Sequence, residues 1–241
     1  MELGIVIPCY NEFERLAHSD FESFLDQRQN ISLLFVNDGS NDETITILKK
    51  LNQSKSNRID IINLKKNEGK AFAVKTGMNF FFRKKKFNKI AFLDADLSTS
   101  LEECYALSKK VNSKIKFVFG SRIRKIDNNI NRLYHRFIIG RILATFISRI
   151  LNLPIYDSQC GCKIFNSELI PVAFNDHFLS KWLFDVEIFF RLKNHFGSEN
   201  LIAFSKETPL KSWKDMGGSK IRLSYGFWVW FDLIKIYRFY K

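Results

Sequence analysis

Several features of common protein classes are missing from this 241-residue sequence. It has no run of 18 apolar residues, so no segment is predicted to span a membrane, and its first residues show no signal-peptide pattern. The four cysteines, Cys9, Cys104, Cys160 and Cys162, lack the spacing of disulfide frameworks or zinc sites, which favours reduced, buried thiols. No internal repeat or low-complexity linker is present. These absences predict a soluble or peripheral protein.

Acidic residues are few relative to basic ones. The chain has 38 Lys and Arg against 25 Asp and Glu, a formal net charge of +13, so an anionic partner is expected. Nucleic acid, an anionic membrane and a phosphorylated substrate all fit that sign. Hydrophobic residues make up 46% of the chain, which is enough for a sizeable core. The length suits one large domain or two small ones.

The first half of the sequence alternates short apolar runs with helical patterns. Strands are predicted over residues 3–8, 31–37, 59–64, 89–93 and 115–119, and helices over residues 13–28, 41–52, 68–82 and 101–112. This β-α-β-α rhythm predicts an α/β fold with a Rossmann-like, mostly parallel sheet flanked by helices on both faces.

The pattern changes after residue 125. A long helix is predicted over residues 131–151, a loop running into a short strand over 157–165, a helix over 183–195, a strand over 200–205 and a loop over 207–220. We expect one domain over residues 1–222 and a C-terminal helix over 223–241. That helix has the Trp, Tyr, Lys and Arg typical of interfacial helices, with docking on the core as the alternative.

Polar side chains follow four predicted strands. Asp94 and Asp96 come directly after the fourth strand, and Tyr10, Asp38 and Arg122 follow three others. Ligands of open α/β sheets bind outside the carboxyl ends of the strands, so these groups are expected to converge. Mg²⁺ and Mn²⁺ are held by one or two carboxylates together with substrate phosphates. Asp94-Ala95-Asp96 therefore predicts a metal–diphosphate site, although such a triplet also occurs by chance in acidic turns.

The order and spacing of these motifs resemble a known family. The segments are IPCYNE at 7–12, VNDGSND at 36–42, NEGK at 67–70 and DAD at 94–96. Together they resemble the family-2 inverting glycosyltransferases of GT-A fold. The segments GSR at 120–122, DSQCGCK at 157–163, FDVE at 184–187 and GSK at 218–220, with Trp213, are similar to the polyprenyl-phosphate sugar transferases, which include dolichyl-phosphate glucose and mannose synthases. The resemblance covers about residues 3–222.

The resemblance implies a nucleotide-sugar site. Its contacts would come from Pro8, Tyr10, Glu12, Asp38, Gly69, Lys70, Asp94, Ala95, Asp96 and Gln159, with Asp94 and Asp96 holding Mg²⁺ or Mn²⁺. Asp38 would accept a hydrogen bond from the base, which suits an imide such as uracil. Ser98 stands where mannose-type relatives often have Gln. A UDP-hexose is therefore favoured, with GDP-mannose as the alternative donor.

The acceptor side is predicted from basic residues and two carboxylates. The resemblance implies that Arg122, Arg136 and Lys220 contact an acceptor phosphate, since Arg binds phosphate bidentately. Arg132 lies four residues before Arg136, on one predicted helical face, although a solvated basic face is a rival interpretation for Arg132. Asp185 and Asp157 are the catalytic candidates. The next charge along, Glu187, is expected to be a helix-surface charge or a local salt bridge.

A phosphate monoester is mostly dianionic at pH 7, because its second pKa is about 6. It is already a nucleophile, so Asp185 is expected either to act as base or to position the sugar or acceptor, with Asp157 as the rival base.

These expectations combine into one predicted function. The protein would transfer a hexose, with glucose from UDP-glucose favoured, to a polyprenyl phosphate while bound peripherally at the cytoplasmic face of the membrane. One alternative is a family-2 glycosyltransferase acting on a glycan hydroxyl in cell-surface polysaccharide assembly, with Asp185 as general base. An alternative of another class is a non-catalytic basic module that binds nucleic acid or membrane. That module accounts for the charge but not for the strand-end motifs, so no nucleic-acid partner is expected.

Overall fold

A computed structural model describes residues 2–215 and 225–241, except for the side chains of residues 135–136 and 225–227. The strands are β1 (Leu3–Cys9), β2 (Ile31–Asn37), β3 (Ile59–Asn63), β4 (Lys89–Leu93), β5 (Phe117–Ser121), β6 (Asn129–Asn131), β7 (Cys162–Asn166), β8 (Ser205–Pro209) and β9 (Ser212–Lys214). The helices are α1 (His18–Gln27), α2 (Thr44–Ser54), α3 (Lys70–Arg83), α4 (Leu101–Ser108), α5 (Tyr134–Leu151), α6 (Ile170–Phe174), α7 (Phe184–Phe196), α8 (Ser198–Phe204) and α9 (Tyr225–Tyr240).

A seven-stranded sheet in the order β3-β2-β1-β4-β7-β5-β8 forms the centre of the fold. β1 pairs in parallel with β2 and β4, β2 with β3, and β5 with β8. β7 is antiparallel to both of its neighbours, β4 and β5. The predicted α/β fold with a mostly parallel sheet and flanking helices is confirmed. The short strand expected within residues 157–165 corresponds to β7, but its antiparallel position between β4 and β5 was not predicted.

Two hydrophobic layers cover the two faces of the sheet. Successive side chains of a strand point to opposite faces, and in β1 Val6 packs into one layer while Ile5 and Ile7 pack into the other. The first layer includes residues of α3, α6 and α7, and the second includes residues of α1, α2 and α4. The sheet is therefore buried on both faces. The carboxyl ends of its parallel strands lie together at one edge.

Two predicted elements have the wrong type. The described part of the loop predicted over residues 207–220 contains the end of β8 and all of β9. The sequence predicts a strand over residues 200–205, but Ser198–Phe204 is helix α8 and the strand begins at Ser205. A short apolar run cannot be assigned to helix or strand from periodicity alone. Tertiary packing decides here, because Leu201 is buried and the Phe204 ring lies edge-on to Phe196 at 5.3 Å.

The C-terminal helix α9 packs on the core through part of its surface. Leu233 and Ile236 are buried in the first hydrophobic layer, and the Tyr240 ring stacks on Phe190 at 5.4 Å. In the part of the chain that the structure describes, no helix is long and apolar enough to cross a bilayer. The division into residues 1–222 and 223–241 stays a prediction.

Candidate active site

A cleft of about 640 Å³ lies at the carboxyl ends of the parallel strands. The predicted residues that line it are Pro8, Tyr10, Glu12, Asp38, Gly69, Lys70, Asp94, Ala95, Asp96, Arg122, Gln159 and Asp185. Asp157 lines a small adjoining cavity of about 80 Å³ together with Arg122 and Gln159. The Arg136 side chain and the whole of Lys220 lie outside the described residues.

Asp38, at the end of β2, holds the loop before α3. Its two carboxylate oxygens accept hydrogen bonds from the backbone N–H groups of Glu68 at 2.8 Å and Gly69 at 2.9 Å. Burial raises the pKa of Asp38 in spite of these bonds. Each carboxylate oxygen has a further acceptor position, so Asp38 can still accept a hydrogen bond from a ligand in the cleft.

Lys70 and Asp94 form an ion pair in the cleft. The Lys70 ammonium lies 2.5 Å from Asp94 Oδ1. Burial disfavours the ammonium, but the charges of Asp94, Asp185 and Asp96 outweigh that effect and raise the pKa of Lys70. Asp94 Oδ2 fills the space next to Gly161, where a Cβ would lie only 2.0 Å from it. Position 161 therefore has to be glycine for the Asp94 carboxylate to take this position.

Asp96 is oriented by the turn that follows β4. Its Oδ1 accepts a hydrogen bond from the backbone N–H of Ser98 at 3.0 Å, and its Oδ2 lies 3.4 Å from Arg15 Nη2. Leu97, between them, has a positive φ of 50°, a region that non-glycine residues rarely adopt. Such backbone conformations concentrate at ligand-binding sites, and this one turns Asp96 towards the cleft that it lines.

The Asp94–Asp96 pair fits a hard divalent cation that also has diphosphate ligands. No group of three or more His, Cys, Asp or Glu side chains within residues 2–215 and 225–241 could hold a metal ion by itself. Mg²⁺ is commonly held by one or two carboxylates plus substrate phosphates, and the cleft supplies the two carboxylates of that set. The space left open by Gly161 for the Asp94 carboxylate is consistent with this use.

Arg122 and Asp157 are tightly paired. Arg122 Nε lies 2.7 Å from Asp157 Oδ2, Arg122 Nη2 lies 2.8 Å from Oδ1, and the Arg122 backbone N–H also donates to Oδ2. Although burial acts against ionisation, Arg122 holds the pKa of Asp157 well below its usual range. Glu207 fixes the same loop by accepting from the backbone N–H groups of Tyr156 and Asp157.

This pairing bears on two predicted roles. A carboxylate with a strongly lowered pKa is a poor proton acceptor near neutral pH, which disfavours Asp157 as the base. Arg122 has part of its donor set committed to Asp157, so it would approach an acceptor phosphate with its remaining N–H groups. The Trp213 ring lies beside it, 5.5 Å from Arg122 Cζ. Both roles stay predictions.

Asp185 lies in the first turn of α7 and lines the cleft. Its Oδ1 lies 2.6 Å from the ammonium of Lys163, a fully buried side chain that also donates to the backbone carbonyl of Cys160. Burial raises the pKa of Asp185, with Lys163 and Lys70 acting in the other direction. Lys163 therefore positions Asp185 and the 160–163 segment from beneath the cleft.

Some residues of the cleft were not predicted. Lys181 and Trp182 line it, and the only sequence signal for them is their place just before α7 and Asp185. Arg132 also lines it, 5.9 Å from the Trp213 ring. The helix begins at Tyr134, so Arg132 precedes it, and the predicted helical pairing of Arg132 with Arg136 is wrong.

The fold and this cleft together define a class of protein. A mostly parallel sheet, with paired aspartates after its fourth strand and a large cleft at the strand ends, is the architecture of the GT-A glycosyltransferases. Solved structures agree in fold. Glucosyl-3-phosphoglycerate synthase from Mycobacterium tuberculosis, in complex with Mn²⁺, UDP and glucosyl-3-phosphoglycerate, has a TM-score of 0.68 at 13% identity over 98% of this chain and 79% of its own. Mannosyl-3-phosphoglycerate synthase from Rubrobacter xylanophilus has a TM-score of 0.67 at 12% identity over 98% of this chain and 72% of its own.

Sequence comparison then gives the family. The family described as Glycosyl transferase family 2 matches residues 4–172, and the chain belongs to this family. Among curated relatives, the dolichyl-phosphate beta-glucosyltransferase of Homo sapiens is 28% identical over 97% of this chain and 73% of its own length. That of Saccharomyces cerevisiae is 29% identical over 92% of this chain and 70% of its own. The protein is a glycosyltransferase.

Proposed function

We propose that this glycosyltransferase transfers glucose from UDP-glucose to a polyprenyl phosphate, with inversion at the anomeric carbon. The observation that carries the proposal is the cleft itself, in which Asp38, Asp94, Asp96 and Asp185 lie together. The similarity to dolichyl-phosphate beta-glucosyltransferases, over more than 90% of this chain and at least 70% of theirs, supports the sugar and the acceptor. The fold shared with a UDP-bound synthase supports the nucleotide.

The donor would bind between the ends of β1, β2 and β4. Asp38 would accept a hydrogen bond from the imide N–H of uracil with an acceptor position left free by Glu68 and Gly69. Asp94 and Asp96 would hold Mg²⁺ or Mn²⁺ against the diphosphate. When bound, the ion would supply Lewis-acid stabilisation of the negative charge on the leaving diphosphate. Lys70, 2.5 Å from Asp94, adds positive charge on the same side.

The reaction would need little proton transfer. A phosphate oxygen of the acceptor attacks the anomeric carbon, the bond from that carbon to the diphosphate oxygen breaks, and UDP leaves. With a second pKa of about 6, the acceptor phosphate is mostly dianionic at pH 7. Asp185, held by Lys163 at 2.6 Å, would therefore position the sugar or the acceptor. On a glycan hydroxyl it would instead have to take the proton.

A lipid acceptor also needs a route into the cleft from a membrane. The described large apolar side chains exposed on α5 and α9 are Tyr134, Ile138, Ile139, Ile142, Phe146, Trp228, Trp230, Phe231, Ile234 and Phe239. The two helices touch where the Phe146 and Trp230 rings meet at 5.1 Å, and Leu143 and Val229 of the same helices line the cleft. This continuity supports peripheral binding of the α5 and α9 faces to a bilayer. The cytoplasmic side of that bilayer stays a prediction.

The test is a panel of radiolabelled nucleotide sugars incubated with a purified polyprenyl phosphate and Mn²⁺. We expect UDP-glucose to label an organic-extractable product and GDP-mannose to label much less. Calorimetry with UDP and GDP checks the donor independently, and clearly tighter binding of GDP would reverse the nucleotide assignment. Label appearing only when a glycan replaces the lipid would overturn the acceptor.

A further inference from the structure

A segment of the chain crosses the rim of the cleft just before α7. We call residues 177–183 the strap. Glu187, whose side chain is fully buried, accepts hydrogen bonds from the backbone N–H groups of Leu179 at 3.0 Å and Ser180 at 2.9 Å. The expected surface charge is therefore wrong. The alternative, a local salt bridge, is present, because Arg191 Nη2 lies 3.9 Å from Glu187 Oε2, and the carboxylate binds the strap as well. It is a buried acceptor for a loop that lines the site.

A second buried charge, Arg191, binds the start of the strap and the residues before it. Arg191 donates to the backbone carbonyls of Ala173, Asp176 and His177 at 3.0, 3.2 and 2.7 Å. Its Nε also donates to Tyr240 Oη at 2.8 Å, and that hydroxyl lies 3.2 Å from Glu187 Oε2. Tyr240 belongs to α9, so the C-terminal helix completes the network that holds the strap.

The same helix reaches the strap at a second point. Ser180 Oγ donates to Asp232 Oδ2 of α9 at 2.7 Å. The Ser180 hydroxyl oxygen in turn accepts from the backbone N–H groups of Trp182 at 3.2 Å and Leu183 at 3.0 Å. The backbone on both sides of Lys181 is thus fixed by hydrogen bonds that run to α7 and α9.

The strap presents Lys181 to the donor side of the cleft. The Cβ, Cγ and Cδ atoms of Lys181 lie about 3 Å from where a Cβ of Gly69 would be, and the Lys181 carbonyl accepts from the backbone N–H of Ala71 at 3.2 Å. A side chain at position 69 would clash with Lys181, and the φ of +99° at Gly69 would strain any other residue. Lys181 lines the cleft, and its positive charge favours the ionised form of Asp38 by acting to lower the pKa of that carboxyl.

We propose that Lys181 is a phosphate-binding side chain of the donor site and that α9 positions it through the strap. The inference rests on the proposed function for its ligand, a nucleoside diphosphate. A lysine ammonium is a compact point charge on a flexible stem, which suits a diphosphate whose oxygens are shared with a metal ion. Lys181 packs on Gly69, which directly precedes Lys70 and its ion pair with Asp94, and this favours the donor diphosphate over the acceptor phosphate as its ligand.

The first test compares Lys181→Met with the parent by calorimetry with UDP and Mn²⁺, and by NMR titration with uridine. We expect the Kd for UDP to rise about tenfold, which corresponds to about 1.4 kcal/mol, while uridine binding changes less than about twofold. Lys181→Arg should recover part of the loss. Lys110→Met is the matched control, because Lys110 is exposed and does not line the cleft.

The outcomes distinguish the donor diphosphate from the acceptor phosphate as the ligand of Lys181. They also distinguish failure of this inference from failure of the proposed function. Unchanged UDP affinity with a raised acceptor KM would place Lys181 at the acceptor phosphate and overturn the donor assignment. Equal losses for UDP and uridine would mean a general disturbance of the site and would also overturn it. A parent protein that binds neither UDP nor GDP would overturn the proposed function itself. A parent that binds UDP and a variant that binds it equally would overturn only the role of Lys181.

The second test concerns α9 as the positioning element. Asp232→Ala removes the acceptor for Ser180 and should weaken UDP binding in the same direction as Lys181→Met, whereas Asp232→Asn keeps an acceptor oxygen and should restore it. The double variant Lys181→Met with Asp232→Ala should bind UDP no more weakly than Lys181→Met alone, because both act through one side chain. Additive losses, or normal UDP affinity in Asp232→Ala, would contradict positioning through the strap.

Discussion

The two walls of the cleft use their charged side chains differently. On the wall built by β1, β2 and β4, Asp38 and Asp96 accept from backbone N–H groups and keep acceptor positions open to the cleft. On the wall built by residues after 120, Arg122 pairs with Asp157, Lys163 with Asp185, and Glu187 with the strap. The first wall keeps carboxylate oxygens of Asp38 and Asp96 available to a ligand, whereas the ion pairs of the second wall hold that wall together. Substitutions on the first wall should therefore lower activity alone. Substitutions on the second wall should lower both activity and the stability of the fold.

The largest effect is expected on the first wall, from Asp96→Ala. Metal stabilisation of the leaving group is worth several kcal/mol, so transfer should fall by about a thousandfold or more. Stability should change little, because the Asp96 side chain is 27% exposed. Steady-state transfer and thermal unfolding measure the two quantities, with Asp127→Ala, an exposed site, as the control. Near-normal turnover in a folded Asp96→Ala protein, or full activity in excess EDTA, would remove the metal role.

On the second wall, Asp157→Ala should lower the stability of the fold. Removing one partner of a buried, hydrogen-bonded ion pair costs about 3 kcal/mol, and the Arg122 and Asp157 side chains are only 18% and 8% exposed. We expect that loss in the free energy of unfolding measured with urea. If the variant unfolds like the parent and transfer alone is lost, Asp157 acts in the chemistry, as the sequence first suggested.

This contrast also explains which parts of the site could be predicted. Asp38, Asp94 and Asp96 follow buried strands directly, so the sheet rule alone brings them together. The Arg122–Asp157 pair joins residues 35 positions apart, and no local periodicity encodes it. Glu187 and Arg191 are buried charges whose partners are backbone groups of a loop and a tyrosine hydroxyl on α9. β7 was predicted as a strand, but its antiparallel insertion depends on the path of the chain after β6.

A smaller effect is expected from Arg136→Ala, which tests the acceptor side. Charge-assisted hydrogen bonds contribute about 1.5–3 kcal/mol, so acceptor KM should rise about ten- to a hundredfold. Slow hydrolysis of the donor without acceptor should be spared, because Asp38 and the Asp94–Asp96 pair would hold the donor. Arg149→Ala is the matched control, since Arg149 is exposed on the same helix. If Arg136→Ala uses the lipid phosphate as well as the parent does, the alternative is favoured in which a glycan hydroxyl is the acceptor and Asp185 is the base.

The smallest effect is expected for membrane binding. Its measurement tests whether the second wall also contacts a bilayer. Deleting residues 227–241 is a poor test, because Leu233, Ile236 and Tyr240 pack on the core or hold the strap. Single changes at Ile139 and Phe231, which are 66% and 54% exposed, leave that packing intact. A partly buried apolar side chain is worth about 1 kcal/mol. Each of Ile139→Ser and Phe231→Ser should therefore weaken binding to anionic vesicles about fivefold.

Cosedimentation with vesicles measures that loss, and Ile202→Ser provides the comparison. Ile202 is 48% exposed on α8, outside the α5 and α9 faces, so its substitution should leave vesicle binding unchanged. If all three variants sediment like the parent, binding depends on charge alone, and raising the salt concentration should abolish it because exposed charges are screened. If Ile139→Ser and Phe231→Ser lose binding while UDP affinity is kept, the two faces contact lipid and the cleft opens between them. The acceptor phosphate would then enter the cleft between α5 and α9, where Leu143 and Val229 line it.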